Sequence, residues 1–205
     1  MAREKERTTR AAESPIVGGL PDVPGIVAAM RLSPGLAVHL RGLADELLVK
    51  DMPGATLTRA ERELLATAVS AANDCFYCMD SHGAFATELL LRGGADDVHG
   101  LIAGIQTGTS GDLAPKMVAL LAIARSVQRD PRSLTRQDVV RALDAGATDE
   151  DTQLAVLIAS AFCMYNRMVD GLRARTPASP EAYRARAAEI AEHGYSDAKV
   201  KSIPE

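Results

Sequence analysis

The chain has 205 residues, a formal net charge of −4 and 47% hydrophobic and 24% charged residues. That is enough apolar material for one compact domain, and the mildly acidic balance speaks against nucleic acid as a partner. No apolar run approaches the roughly 18 residues that span a bilayer. The N-terminal stretch lacks the apolar core of a signal peptide, so the expectation is a cytoplasmic protein with no membrane partner. Aromatic residues make up 3% with no Trp. Ala and Leu dominate over β-branched residues, which leans the chain to all-α.

Residues 1–14 read as a polar, disordered tail. Ser33-Pro34 marks a helix start, with Ser33 as N-cap, and the helix runs to about Val49 before Met52-Pro53-Gly54 breaks it. Thr58-Arg59-Ala60-Glu61 is a capping box that opens a helix to about Ala72. After Asn73-Asp74 a further helix runs from about Cys75 to Arg92 and closes on Gly93-Gly94. A short helix is expected over about Asp96 to Ile105, then a loop from Gly108 to Gly111. Pro115 opens a helix to about Gln128. Thr135 caps one that ends at Gly146, and Thr148 caps a long apolar one that ends near Gly171. Ser179-Pro180 starts the last helix, which stops at Gly194. No period-two alternation competes with this reading. The expected organisation is a tail over 1–14, a single antiparallel helical bundle over 15–195, and a C-terminal tail over 196–205. Leu57-Thr58-Arg59 recurs as Leu134-Thr135-Arg136, an echo that fits either a duplicated unit or the general likeness of helices.

The segment from Glu63 to His82 carries the chemistry. The helix after Thr58 is apolar almost all round, as buried helices are, yet Glu63, Thr67, Ser70 and Asp74 follow helical spacing as a narrow polar stripe. This is either a solvated edge or a device that takes Glu63 into the interior as a proton carrier. Twelve helical steps from Glu63 to Cys75 rotate the side chain by roughly 120°, so one unbroken helix cannot join them. The chain must turn back at Asn73-Asp74, which sets Glu63 and His82 facing each other across the cysteines.

Asp74 is the expected N-cap of the next helix, with Cys75 at its first position and Cys78 in its first turn. The i,i+3 spacing puts both thiols on one face at a Cα separation of roughly 5–6 Å, which suits a disulfide. A helix start stabilises thiolate. His82, four residues after Cys78, lies one turn further along that face. In a reducing compartment a Cys-x-x-Cys pair is catalytic or metal-binding more often than structural. Zinc would need four ligands, and no second close pair accompanies Cys75, Cys78 and His82. Cys163 lies in the apolar run from Ala155 to Met164 and reads as core. His39 and His193 read as surface residues, and His99 as either.

Glu63 followed by Cys75-x-x-Cys78-x-x-x-His82 resembles the signature of the alkylhydroperoxidase D-like proteins of the carboxymuconolactone decarboxylase superfamily. Asn73 to Cys78 and Tyr165-Asn166-Arg167-Met168-Val169-Asp170-Gly171-Leu172 resemble its peroxidase-related branch. The resemblance covers about residues 20–190. It implies an all-helical fold that assembles as a homo-oligomer, often a trimer or hexamer. It further implies that Cys78 is peroxidatic, Cys75 resolving, and Glu63 and His82 a proton relay. One branch has a histidine just before the second cysteine, where this chain has Tyr77.

The reading is a thiol-dependent peroxidase that reduces hydrogen peroxide or organic hydroperoxides. It requires an external dithiol reductant and no bound cofactor or metal. A non-peroxidatic redox switch and a carboxymuconolactone-type decarboxylase stay open, although the decarboxylase branch generally lacks the cysteine pair.

Overall fold

A computed structural model describes residues 15–109 and 113–198. The tail expected over 1–14, part of the loop expected from Gly108 to Gly111, and residues 199–205 of the expected C-terminal tail lie outside the described residues. Among those described there is no strand. The helices are α1 (Ile26–Leu32), α2 (Pro34–Leu48), α3 (Arg59–Ala72), α4 (Phe76–Arg92), α5 (His99–Thr107), α6 (Pro115–Arg129), α7 (Arg136–Asp144), α8 (Asp149–Gly171) and α9 (Arg184–Asp197). Short 3₁₀ turns cover Pro131–Ser133 and Pro180–Tyr183. The all-α expectation holds, and no helix of the described residues is long and apolar enough to cross a membrane.

Three of the helix starts are capping boxes. Thr58 pairs with Glu61, Thr135 with Asp138 and Thr148 with Asp151, each hydroxyl accepting the backbone N–H three residues on while the carboxylate accepts the cap's own N–H. Each cap is worth about 1 kcal/mol and fixes where the chain turns into helix. Asp151 does more. Its carboxylate also accepts the backbone N–H groups of Thr56 at 2.7 Å and Leu57 at 3.0 Å and the Thr56 hydroxyl at 2.6 Å, which ties the start of α8 to the strand of chain that leads into α3.

α3 is the central helix. It packs against α4, α5, α6 and α8, and every residue from Arg62 to Ala71 is buried. Small residues at 66, 68 and 71 let neighbouring backbones come close, while Leu64, Leu65 and Val69 interlock with Leu120, Leu121, Ile123, Leu154, Ile158 and Phe162. Most of the polar stripe is therefore not a solvated edge: Glu63, Thr67 and Ser70 are all inside, and only Asp74 is exposed.

Several local expectations are corrected. Asp74 is not an N-cap. It sits in the left-handed region at φ 53° and closes α3, with Cys75 N–H donating to the Ser70 carbonyl at 3.0 Å and Asp74 N–H to the Ala71 carbonyl at 3.2 Å. This is the paired-bond helix ending in which one left-handed residue reverses the chain, and it is rarely filled by anything but Gly or Asn. Cys75 is consequently the N-cap of α4 rather than its first residue. Ser33 stands at the start of α2 but makes no side-chain capping bond. The short helix begins at His99, not near Asp96. The last helix begins at Arg184, after a 3₁₀ turn, and resumes beyond Gly194 to Asp197. α1 was not expected at all: its N-cap is Gly25, which offers no side-chain oxygen to mark a start.

Candidate active site

The turn at Asn73-Asp74 folds α4 back along α3 and brings Glu63 and His82 together. Glu63 is 1% exposed and His82 9%. Glu63 Oε2 lies 2.6 Å from His82 Nδ1, an ion-pair distance. With the carboxylate accepting, Nδ1 carries the hydrogen and Nε2 is left as the basic nitrogen of the ring. Phe162 and Phe85 hold the imidazole edge-on, with ring centroids at 4.5 and 5.2 Å.

The second carboxylate oxygen has a partner that the sequence reading did not contain. The Tyr195 hydroxyl donates to Glu63 Oε1 at 2.6 Å and lies 3.4 Å from His82 Nδ1. Burial first, then the neighbouring Glu63 charge, raises the Tyr195 pKa well above the ordinary phenol range, so the phenol stays a donor. Tyr195 reaches this place because α9 breaks at Gly194, which has φ 73° and ψ −167°. The Asp45 carboxylate of α2 then accepts the backbone N–H groups of Tyr195 at 2.6 Å and Ser196 at 2.9 Å. A Cβ at Gly194 would stand 2.9 Å from Asp45 Oδ1, so both the left-handed backbone and the close approach call for glycine. No local motif links 195 to 63; the only sign in the sequence was a Tyr beside a Gly that looks like a helix stop.

Cys75 and Cys78 are both free thiols, 0% and 2% exposed. Cys75 occupies the N-cap and Cys78 the first turn of α4, the face they share being the one expected. They pack with Tyr77, Ala28, Val169, Ala174 and Tyr183, so the thiols sit in an apolar nest closed by α1 and the segment that precedes α9. Cys75 is hydrogen-bonded to Cys78. That bond first, then burial, pushes its pKa well above the usual thiol range. The stabilisation of thiolate expected of a helix start does not overcome the loss of water at Cys75.

A second polar cluster supports the turn from below. Asn166 Nδ2 donates to Ser70 Oγ at 3.1 Å, Asn73 Nδ2 to Asn166 Oδ1 at 2.8 Å, and Gln128 Nε2 to Asn73 Oδ1 at 2.8 Å. Asn166 is 1% exposed, and its carbonyl lies 4.0 Å from Cys75 Sγ. Cys163 is half-buried at the edge of the core, 3.7 Å from Asn73 Nδ2. His39, His99 and His193 are exposed, and no group of three or more metal-ligating side chains occurs among the described residues.

A cavity of about 70 Å³ opens beside the relay. Tyr77, Ser81, His82 and Phe85 of α4 form one wall, α1 and α2 contribute Ile26, Met30 and Arg41, and Arg186, Ile190 and Tyr195 of α9 close it. Cys78 is not on this wall; Tyr77 before it and Ser81 and His82 after it are. The Tyr77 ring packs on Gly25, where a Cβ would meet it at 2.2 Å.

Residues 43–91, which hold Glu63, both motif cysteines and His82, match the model of the carboxymuconolactone decarboxylase family. An uncharacterized peroxidase-related protein from Ralstonia eutropha JMP134, with an alkylhydroperoxidase AhpD core, is 27% identical, with a TM-score of 0.65 over 76% of this chain and 77% of that one. An uncharacterized peroxidase-related protein from Silicibacter sp. TM1040 is 22% identical, with a TM-score of 0.64 over 80% of this chain and 90% of that one, a likeness of fold. Comparison with curated proteins found no match.

Proposed function

From the match of residues 43–91 to the carboxymuconolactone decarboxylase family model and the likeness to a protein with an alkylhydroperoxidase core, we propose that this chain is a thiol-dependent peroxidase of that superfamily in which Cys78 attacks the peroxide. The observation that carries this reading is the buried chain Tyr195–Glu63–His82 one helical turn from Cys78. A buried carboxylate, an imidazole and a phenol joined by 2.6 Å bonds form a proton path, and peroxide reduction by a thiol needs one. The Cys-x-x-Cys pair, which the decarboxylase branch generally lacks, also favours this reading over lactone-opening chemistry.

The resemblance implies that Cys78 is the nucleophile and Cys75 the resolving thiol. The raised pKa of Cys75, from its bond to Cys78 and then from burial, supports Cys75 as the thiol that keeps its proton. His82 takes the Cys78 proton at Nε2, and the imidazolium is held by Glu63. The thiolate attacks one peroxide oxygen, the O–O bond breaks, and the leaving alkoxide or hydroxide takes a proton from His82. Cys78 is then a sulfenic acid. Cys75 attacks it, a disulfide forms, and water leaves with the Cys75 proton. An external dithiol returns two electrons and two protons by thiol–disulfide exchange.

A peroxide-consumption assay with several dithiol reductants tests the reading on wild type and Cys78→Ser. Turnover in the wild type and its loss in the variant are expected. One equivalent of thiol oxidation without turnover under every reductant would make the pair a redox switch instead.

A further inference from the structure

We propose that Asn166 of α8 is a positioning residue for the resolving thiol: it fixes the turn that aims Cys75 at Cys78. Naming Cys75 as the resolving thiol rests on the peroxidase reading; its alignment with Cys78 does not.

The two cysteines are held by different means. Cys78 lies inside the first turn of α4, so the helix itself sets its backbone. Cys75 is the N-cap, with φ −84° and ψ 90°, and it belongs to two helices at once. Its carbonyl accepts the Met79 N–H of α4 at 2.9 Å, while its own N–H donates to the Ser70 carbonyl of α3 at 3.0 Å. Its direction depends on Asp74, which stands in the left-handed region at φ 53°. A residue other than Gly costs energy there and keeps that conformation only where its surroundings impose it. Relaxation of the turn would swing Cys75 and leave Cys78 on its helix. A disulfide tolerates little of this, because the two Cβ atoms must stay about 3.5–4.5 Å apart.

Asn166 supplies the constraint from a third helix. Its Nδ2 donates to Ser70 Oγ at 3.1 Å, on the residue whose carbonyl holds the Cys75 amide. Its Oδ1 accepts from Asn73 Nδ2 at 2.8 Å, and Asn73 is the C-cap of α3, immediately before Asp74. Its backbone carbonyl lies 4.0 Å from Cys75 Sγ, the reach of a weak bond from the thiol. Gln128 of α6 grips the far side of the same Asn73 amide, its Nε2 donating to Asn73 Oδ1 at 2.8 Å and to the Ala72 carbonyl at 3.3 Å. One side chain therefore ties down both the residue that anchors Cys75 and the residue that enters the turn. Asn166 is 1% exposed, so water cannot replace these bonds when they are lost. The Tyr195–Glu63–His82 relay uses none of them.

The consequence is a division between the two chemical steps. Attack on peroxide needs Cys78 and the relay. In the resolving step the Cys75 sulfur attacks the sulfur of the Cys78 sulfenic acid. The S–S bond forms, the S–O bond breaks, and the oxygen leaves as water with the Cys75 proton. That step depends on the aim of Cys75, and misaligned partners lose effective molarity steeply. Loss of Asn166 should slow the second step and spare the first.

Equilibration of the full chain with a glutathione redox buffer tests the alignment without peroxide. Oxidised glutathione takes two hydrogens from the pair and becomes two reduced molecules, and mass spectrometry reads the fraction of Cys75–Cys78 disulfide. Asn166→Ala should lower the equilibrium constant for disulfide formation at least tenfold, a rise of about 30 mV in reduction potential. Asn166→Asp should recover part of it, since its carboxyl oxygens can accept from Asn73 and from a reversed Ser70 hydroxyl. Asn73→Ala changes a half-buried residue and carries the test if Asn166→Ala does not fold. It should shift the constant the same way, and the double variant should be no worse than the worse single one. In a kinetic arm, Cys78 oxidation by hydrogen peroxide should stay within twofold of wild type in Asn166→Ala, while dimedone traps more of the Cys78 sulfenic acid. An unchanged disulfide constant in Asn166→Ala and Asn73→Ala would overturn the proposal. So would a fall in the Cys78 oxidation rate as large as the fall in the constant, which would make Asn166 a residue of general packing. A shifted constant with no oxidation of wild-type Cys78 by peroxide would leave the positioning role standing and remove the peroxidase.

Discussion

The Tyr195 hydroxyl lies 2.6 Å from Glu63 Oε1, although 132 positions separate the two residues along the chain. The bond joins the last helix to the central one and gives the buried carboxylate a neutral donor on one oxygen and an imidazole on the other. Such a carboxylate is fully engaged without a second full charge, and its hold on the His82 tautomer depends on Glu63 keeping its orientation.

Tyr195→Phe should therefore slow Cys78 while leaving the fold intact. A hydrogen bond to a charged group is worth about 1.5–3 kcal/mol, or roughly ten- to a hundredfold in rate if it is realised in the transition state. The measurement is the rate of Cys78 oxidation or alkylation across pH 5 to 9, together with a melting curve. A changed pH profile with a melting temperature close to wild type is expected. An unchanged profile would make Tyr195 a packing residue.

Glu63→Gln removes the exchangeable acid and keeps the shape. Loss of a general acid or base costs about 10²–10⁴-fold, and the same pH series should show a loss on that scale. The amide still accepts from Tyr195 through its oxygen, so the variant should stay folded. A variant as fast as wild type would remove the relay from the mechanism.

How much of this was legible follows the range of each interaction. Thr58, Thr135 and Thr148 announced their helices because a capping box is closed within four residues. Glu63 and His82 could be paired from sequence because one turn at Asn73-Asp74 joins their helices and the polar stripe names the face. The turn itself was misassigned by one residue. Asp suits an N-cap in general, and only the observed φ of 53° reveals it as the end of α3 instead. Tyr195 and Arg186 were out of reach: their places depend on where α9 lies across α2 and α4, which the Asp45 contacts to Tyr195 and Ser196 help fix and no short pattern encodes. The apolar burial of Cys75 was likewise hidden, since Leu20, Val23 and Ala174 cover it from distant segments.

Asp151 makes a prediction about acid. Burial alone would raise its carboxyl pKa, but hydrogen bonds led by those from Thr56 outweigh it and leave the pKa below the ordinary value. A carboxyl whose folded pKa is depressed binds its proton more weakly when folded. Its contribution is therefore complete above about pH 4–5 and fades as pH falls through the folded value. Denaturant melts from pH 6 to 3 should show this loss in wild type and a shallower one in Asp151→Asn. At neutral pH Asp151→Ala should cost on the order of 2–3 kcal/mol, because it strands the buried Leu57 amide and removes both bonds from Thr56.

The two cysteines should fail differently when each is replaced. Cys75→Ser keeps the nucleophile and removes the group that resolves it, so one equivalent of peroxide should leave a sulfenic acid on Cys78 that dimedone traps. Cys78→Ser leaves a thiol held in its protonated form by burial, and it should react slowly with peroxide and with alkylating reagents alike. In wild type the sulfenic acid should be short-lived and peptide mapping should find a Cys75–Cys78 disulfide, with Cys163 still a thiol. Cys163 packs with a different apolar cluster from the pair, so a mixed disulfide is not expected. Mass spectrometry after stoichiometric peroxide reads both variants and the wild type. Dimedone on Cys75 rather than Cys78 would reverse the assigned roles. Cys163 paired with either would show that the buried pair is not the reactive one.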